Sequence, residues 1–174
     1  PRAGFVEAGI TGKMNALSVA MFMSTPEVVE MLLDQGFDPM LSDVAGNDPL
    51  MFSCFSNHIE NVKYWLKRFP NWDLERTNHV VGGVALGCAL YMGPNRLELT
   101  KLLLKLGAKP DTVSHAGGST LAAACSNEDA DVEVIRLLLQ QKGVNIHYRR
   151  RRKSLKWKFI DVMASLTRPL FTNC

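Results

Sequence analysis

The sequence lacks the features that mark several large classes of protein. Its longest uninterrupted run of apolar residues and glycine, 80–93, contains four glycines and is too short to span a bilayer. It has no basic-then-apolar leader and no N-x-S/T site for glycosylation. Its four cysteines, at 54, 88, 125 and 174, form no CxxC pair, and three of them lie in apolar segments. We therefore expect buried free thiols in a reducing compartment, the cytoplasm by default or the nucleus.

Motifs for catalysis and for metal binding are also missing. There is no nucleophile elbow, Walker loop, dinucleotide fingerprint, kinase signature or zinc-hydrolase helix. The four histidines, at 58, 79, 115 and 147, include no pair at the spacing of metal ligands. We therefore expect no enzyme activity in this segment, no cofactor and no metal.

Charge is nearly balanced outside one short segment. The 174 residues include 20 lysines and arginines against 17 aspartates and glutamates, a net of +3. The run 149–153 supplies five of the positive charges, and the remainder counts 15 against 17. This basic patch consists of Arg149, Arg150, Arg151, Arg152 and Lys153. Because the basic character is local, nucleic acid is an unfavoured partner.

What the sequence does contain is an internal repeat. Four segments, 26–39, 59–73, 97–111 and 132–145, each open with a glutamate and carry an apolar pair two turns later. A short stretch with an anchoring leucine precedes each segment. These leucines are Leu17, Leu50, Leu86 and Leu121, spaced by 33, 36 and 35 residues, and Leu155 continues the series. The spacing of apolar residues within each unit predicts a helix with small side chains followed by a more apolar helix.

Residues that start and stop helices lie at the predicted boundaries. Thr25 and Asp48, each before a proline, are expected to cap helix starts, as is Ser119. Gly36, Gly107 and Gly143 are expected to end helices, because glycine adopts a positive φ at little cost. Pro70 replaces the glycine in the second unit. Small residues of the first helices are expected to let neighbouring helices approach closely: Ala20, Ser53, Cys54, Gly87, Ala89, Ala123 and Ala124.

A period near 34 with two helices per unit resembles the ankyrin repeat. The residues that carry the resemblance are G-N-D-P-L-M at 46–51, N-H-I-E-N-V-K-Y-W-L at 57–66, E-L-T-K-L-L-L-K-L-G-A-K-P at 98–110 and G-G-S-T-L-A at 117–122. The resemblance implies an all-α fold, a solenoid of stacked helix-turn-helix units with short hairpin-like fingers. The expected divisions are a lead-in at 1–11, repeats at 12–45, 46–81, 82–116 and 117–148, and a basic loop with a degenerate fifth repeat or cap at 149–174.

The resemblance also implies a non-catalytic module that binds a partner protein through a concave groove and its finger loops. The fifth and sixth residues after each anchoring leucine are candidate contacts: Phe22, Met23, Phe55, Ser56, Tyr91, Met92, Ser126 and Asn127. Asn47 and His115 are candidates in the fingers. Phe22, Phe55 and Tyr91 either form an exposed aromatic stripe or pack between helices, and both interpretations remain open. The partner is unidentified, and a monomer is the default expectation.

An alternative function concerns a longer protein. The sequence begins with proline and has no obvious end signal, so we expect a piece of a longer or processed chain. The array would then be a regulatory or targeting segment of a larger enzyme or channel, with 149–170 as a basic amphipathic connection. Three other interpretations of residues 149–170 remain open: the first helix of a fifth unit, a calmodulin-type target, or a nuclear-import signal.

Overall fold

A computed structural model describes residues 14–91, 96–115, 117–126 and 131–148, with only the backbone of Tyr91. These residues form eight helices and no strand, which confirms the all-α fold class. The helices are α1 (Ala16–Met23), α2 (Pro26–Asp34), α3 (Pro49–Phe55), α4 (Ile59–Arg68), α5 (Ala85–Tyr91), α6 (Arg96–Lys105), α7 (Thr120–Cys125) and α8 (Val132–Leu139). None of these helices is long and apolar enough to cross a membrane. Met92, Asn127, Leu155 and the basic patch lie outside the described residues.

The helices pack in two rows. In the inner row, α1, α3, α5 and α7 each pack against the next. In the outer row, α2, α4, α6 and α8 each pack on the inner helix that precedes them in the chain. Within the outer row, α2 packs against α4 and α6 against α8, whereas α4 and α6 contact each other less. The outer row is therefore packed less closely at its middle than at its two ends.

The anchoring leucines form the centre of the inner row. Leu17, Leu50 and Leu86 are at most 1% exposed, and Leu121 is half-buried. Around them lie small buried side chains: Ala20, Ser53, Cys54, Ala89 and Ala124. Small side chains let helix axes approach closely, so the predicted role of these positions agrees with their burial.

In the apolar pair of each outer helix, the first residue faces the core. Trp65, Leu103 and Leu138 are completely buried, and the corresponding Leu32 of α2 is half-buried. Among these side chains, Trp65 is the largest, and its ring packs against the rings of Phe69 and Trp72, with centroids 4.8 Å and 5.1 Å away. The second unit is thus held together by aromatic side chains where the other units use leucine.

The predicted helix starts are correct except for one hydrogen bond. Asp48 accepts from the N–H of Met51 at 2.9 Å, and Ser119 accepts from the N–H of Ala122 at 3.1 Å, as expected of N-caps. Thr25 does occupy the N-cap before Pro26, but its side chain makes no cap hydrogen bond.

Helix ends use the left-handed conformation. Gly36 and Gly107 have φ of 86° and 97°, and their N–H groups donate to the carbonyls of Leu33 and Leu104, which confirms their predicted role. Gly143 also has a positive φ, of 92°, but it lies three residues beyond Gln140, the C-cap of α8, so it does not itself end that helix. Asn57, with φ of 57°, does the same for α3, and the following N–H of His58 donates to the carbonyl of Ser53 at 2.9 Å. Asparagine tolerates this conformation better than other residues with a Cβ. An inner helix of the second unit therefore ends on a non-glycine residue in the conformation that glycine adopts after the outer helices.

One buried amide joins the first unit to the second. The Asn61 side chain, which is completely buried in α4, donates to the carbonyls of Ala20, Met21 and Ser24 at 3.3, 3.2 and 2.8 Å. The carbonyl of Ala20 also accepts from the N–H of Ser24 at 2.8 Å. The carbonyls of Met21 and Ser24 lie at the end of α1, where a helix has no further N–H groups of its own to offer. Asn61, a residue of the second unit, therefore supplies hydrogen-bond donors to the C-terminal end of α1 in the first unit.

The three described cysteines are free thiols, but they differ in accessibility. Cys54 and Cys88 are buried in the inner row, as expected, and burial raises the pKa of both thiols. Cys125 is exposed, which corrects the expectation that it is buried. Helix α7 is only six residues long, and Cys125 is its last residue, so it lies where the inner row ends and no further described helix covers it.

We expect thiol reagents to distinguish these sites. Because the thiolate is the reactive form, Cys54 and Cys88 should react with iodoacetamide at pH 8 only on unfolding, while Cys125 reacts in the native protein. Peptide mass spectrometry of the alkylated native protein, with a sample in urea as control, measures each site separately. Rapid native labelling of Cys54 or Cys88 would contradict the packing described above.

Candidate partner-binding surface

Three loops between the units share one backbone arrangement. Finger 1 is 43–47, finger 2 is 78–83, and finger 3 is 114–118, of which residue 116 is not described. In each finger the N–H of the first residue donates to the carbonyl of the last, at 3.0, 3.0 and 2.9 Å. A glycine with positive φ precedes that last residue, with φ of 81°, 64° and 75° at Gly46, Gly82 and Gly117. The predicted hairpin-like fingers are thus closed turns.

Polar side chains hold fingers 1 and 2 together from within. The buried carboxylate of Asp43 accepts from the N–H groups of Ala45 and Asn47 at 2.9 and 2.8 Å, and from the Asn47 side chain at 3.0 Å. The Asn47 side-chain oxygen then accepts from the Asn78 amide at 3.0 Å. Asn78 in turn accepts from the N–H of Val81 at 2.9 Å. This continuous network fixes the two fingers relative to each other.

Backbone hydrogen bonds also join each finger to the next one. The N–H of His79 donates to the carbonyl of Ala45, and that of His115 donates to the carbonyl of Val81, both at 2.7 Å. The histidine rings lie against the glycines of the preceding fingers. A Cβ at Gly46 would lie 2.7 Å from the ring of His79, and one at Gly82 would lie closer still to the ring of His115. The fingers are therefore stacked in register.

The stacked fingers present an exposed row of side chains. Val44 and Val80, each two residues before the glycine of its finger, are 59% and 51% exposed. The side chains of His79 and His115 are also exposed. We call these four residues the finger-tip row. Because these side chains lie outside the core, the packing of the described residues does not require an apolar side chain at position 44 or 80.

Most of the predicted contacts on the inner helices are less accessible than expected. Phe22 and Phe55 are half-buried and pack against the core, and Phe22 meets Phe52 edge-on at 6.5 Å. For these two rings the structure favours packing between helices over an exposed aromatic stripe. The half-buried Ser56 donates its hydroxyl to the carbonyl of Phe52 at 3.1 Å. The side chain of Tyr91 is not described.

Three predicted contacts are exposed, and one is buried. Met23 is 54% exposed, and the side chains of His115 and Ser126 are also exposed. Asn47 is only 6% exposed, and its side chain is used in the network between fingers, so it offers little surface to a partner. Sequence reasoning did not single out Val44 and Val80, the exposed apolar residues of fingers 1 and 2. The available signal was an apolar residue two positions before a finger glycine.

A buried acid lies directly behind the fingers. Asp48 is 2% exposed, caps α3 and pairs with the guanidinium of Arg76, whose Nε lies 3.1 Å from its carboxylate. The same guanidinium lies 5.2 Å from the ring centroid of Trp72. Desolvation raises the pKa of Asp48, although the Met51 N–H and Arg76 act in the opposite direction. The pair thus joins α3 to the aromatic side chains after α4.

The described residues contain no group of three or more histidine, cysteine, aspartate or glutamate side chains placed to hold a metal ion. A comparison with models of known protein families finds no match. A comparison with curated proteins also finds no match. The finger-tip row and the inner-helix residues beside it therefore form the candidate surface on geometry alone.

The close approach of the His115 ring to Gly82 gives a test of finger stacking. Replacing Gly82 by alanine is expected to lower the free energy of unfolding by about 2 kcal/mol, from a strained positive φ together with a displaced ring. Gly36→Ala is the matched control, because Gly36 has φ of 86° but no atom within 4 Å of the place where a Cβ would lie. It should lose only about 1 kcal/mol, from strain alone.

Urea unfolding followed by circular dichroism measures both variants. A double variant, Gly82→Ala with His115→Ala, should return to the stability loss of Gly36→Ala, since the ring that clashes is gone. Equal losses in the two single variants would show that the fingers are not tightly stacked.

Proposed function

We propose that the chain is a non-catalytic binding module of the ankyrin type, a solenoid of helix-turn-helix units that holds a partner protein against its fingers and inner helices. The observation that carries the proposal is the finger-tip row. Val44 and Val80 are exposed, while the finger backbone beneath them is held by hydrogen bonds from Asp43, Asn78 and the next finger.

This arrangement favours binding for two physical reasons. A surface that is already ordered loses little conformational entropy when a partner docks on it. Exposed apolar side chains gain contact area on docking, and the neighbouring histidines supply hydrogen-bond donors and acceptors that fix orientation. Met23 and Ser126, exposed at the ends of α1 and α7, extend the proposed surface along the inner row.

The test compares partner capture by variants of the finger-tip row. The double variant Val44→Asp and Val80→Asp places charges on the row without touching the core. The double variant Val132→Asp and Leu139→Asp is the matched control, because Val132 and Leu139 are 63% and 50% exposed in α8, outside the row, and it adds the same two negative charges. Proteins retained by the unmodified chain and by the control, and at least tenfold less by the finger-tip double variant, would support the proposal.

The variants must first show unchanged circular dichroism and urea midpoints. The proposal fails if every retained protein binds the finger-tip double variant as well as it binds the control. It also fails if the set of retained proteins disappears equally in both, because binding would then depend on net charge and not on the row.

A further inference from the structure

The weak contact between α4 and α6 leaves a groove in the outer row. Its volume is about 430 Å³, against about 170 Å³ for the corresponding space between α6 and α8. The lining residues are Ile59, Glu60, Lys63, Glu98, Lys101, Leu102 and Lys105. The groove lies on the outer helices, away from the finger-tip row and from the surface proposed above.

The floor of this groove is apolar. Ile59 and Leu102 are half-buried and pack against the core, so each presents part of its side chain to the groove. Apolar side chains of a ligand could pack on this floor. Covering the floor would remove apolar surface from water, which is favourable.

The walls are charged, with a surplus of lysine. Glu60 pairs with Lys63 at 2.7 Å in α4, and Glu98 pairs with Lys101 at 2.8 Å in α6. Lys105 lies one turn beyond Lys101 and forms no ion pair among the described residues. All four paired side chains are at least 50% exposed, so these ion pairs are weak and their lysines can turn to another carboxylate.

The surplus continues beyond the lining. Lys67 of α4 occupies the position that corresponds to Lys105 in α6, and Arg68 follows it. Helix α2, in contrast, carries Glu27, Glu30 and Asp34 and no basic residue. The cationic character is therefore a property of the part of the outer row that holds the groove, and not of the whole row.

We propose that this groove binds an acidic amphipathic helix of a partner protein. The carboxylates of that helix would meet Lys63, Lys101 and Lys105, and its apolar side chains would cover Ile59 and Leu102. The flanking helices have ten residues each, about 15 Å, which matches a ligand helix of about three turns. In a helix of this kind, carboxylates and apolar side chains occupy adjacent faces at spacings of three and four residues.

A synthetic peptide tests this proposal directly. The probe is a fluorescein-labelled helical peptide of about four turns, with glutamate and leucine arranged on adjacent faces. Fluorescence anisotropy with the full chain should show saturable binding that weakens as salt is added. The double variant Lys101→Glu and Lys105→Glu is expected to lower the affinity at least tenfold.

Matched controls separate the groove from general charge attraction. Lys109→Glu with Lys142→Glu changes the net charge by the same amount at lysines outside the lining, and should change the affinity less than twofold. A peptide with alanine in place of leucine should bind at least fivefold more weakly, because the floor would stay uncovered.

Three outcomes overturn the proposal. They are an absence of saturable binding, equal losses in the two lysine double variants, and loss of peptide binding in the Val44→Asp and Val80→Asp variant. The last outcome would place the acidic helix on the finger-tip row. Capture at the finger-tip row is measured separately, so either proposal can fail while the other stands.

Discussion

Replacing Trp65 by alanine is expected to lower the free energy of unfolding by about 3–5 kcal/mol, the largest loss from a single substitution that we expect in this protein. Trp65 is completely buried, and its ring packs on Phe69 and Trp72 at 4.8 and 5.1 Å. Alanine would leave a cavity between α4 and the core that the aromatic neighbours fill only in part. The shift of the urea transition measures the loss.

Trp65→Phe is the informative control. Among the described residues, the indole Nε1 of Trp65 has no hydrogen-bond partner, so phenylalanine removes a buried donor as well as part of the ring. Removing a donor that has no partner offsets some of the lost packing, and we expect a loss of only about 1–2 kcal/mol. Equal losses for alanine and phenylalanine would contradict a packing role for the ring.

Replacing Asp48 by alanine is expected to lower the free energy of unfolding by about 2 kcal/mol, because α3 loses its N-cap. Asp48→Asn should be far less harmful, since asparagine caps helices about as well and carries no charge that must be desolvated. The partner Arg76 has 29% of its side chain exposed, so water can solvate it when the carboxylate is removed.

The raised pKa of Asp48 also predicts that the stability difference between the unmodified protein and Asp48→Asn depends on pH. Burial raises the pKa of Asp48 above its ordinary value of 3.8, so the folded protein binds this proton more tightly than the unfolded chain. The contribution of Asp48 to stability is therefore greatest below about pH 4 and is lost as the pH rises through the raised pKa. Asp48→Asn cannot titrate, so it should gain on the unmodified protein over this window. Urea midpoints at several pH values measure the difference, and a constant difference would contradict the raised pKa.

The features that could be predicted from sequence are those that depend on neighbouring residues in the chain. Gly36 and Gly107 end helices because a positive φ suits glycine wherever it occurs. Asp48 and Ser119 cap helices through N–H groups only three residues away. The anchoring leucines follow from the spacing of apolar residues, which fixes the buried face of a helix.

The features that could not be predicted depend on residues far away in sequence. Asn61 is buried because α1, about 40 residues earlier in the chain, offers it three carbonyls. Asn47 has the sequence context of an exposed turn residue, but the amide of Asn78 covers it. The accessibility of Phe22 depends on Phe52 in the next inner helix. Spacing within one unit contains no information about any of these partners.

The two rows of helices have a consequence for how the chain folds. Each extensive contact joins helices that are adjacent, or next but one, in chain order. The loops that must close are therefore about one unit long, given anchoring leucines 33, 36 and 35 residues apart. Loop-closure entropy grows with loop length, and local contacts favour fast folding, so no step has to bring distant parts of the chain together. Folding can begin at the best-packed pair of units, and each further unit then adds to a surface that is already formed.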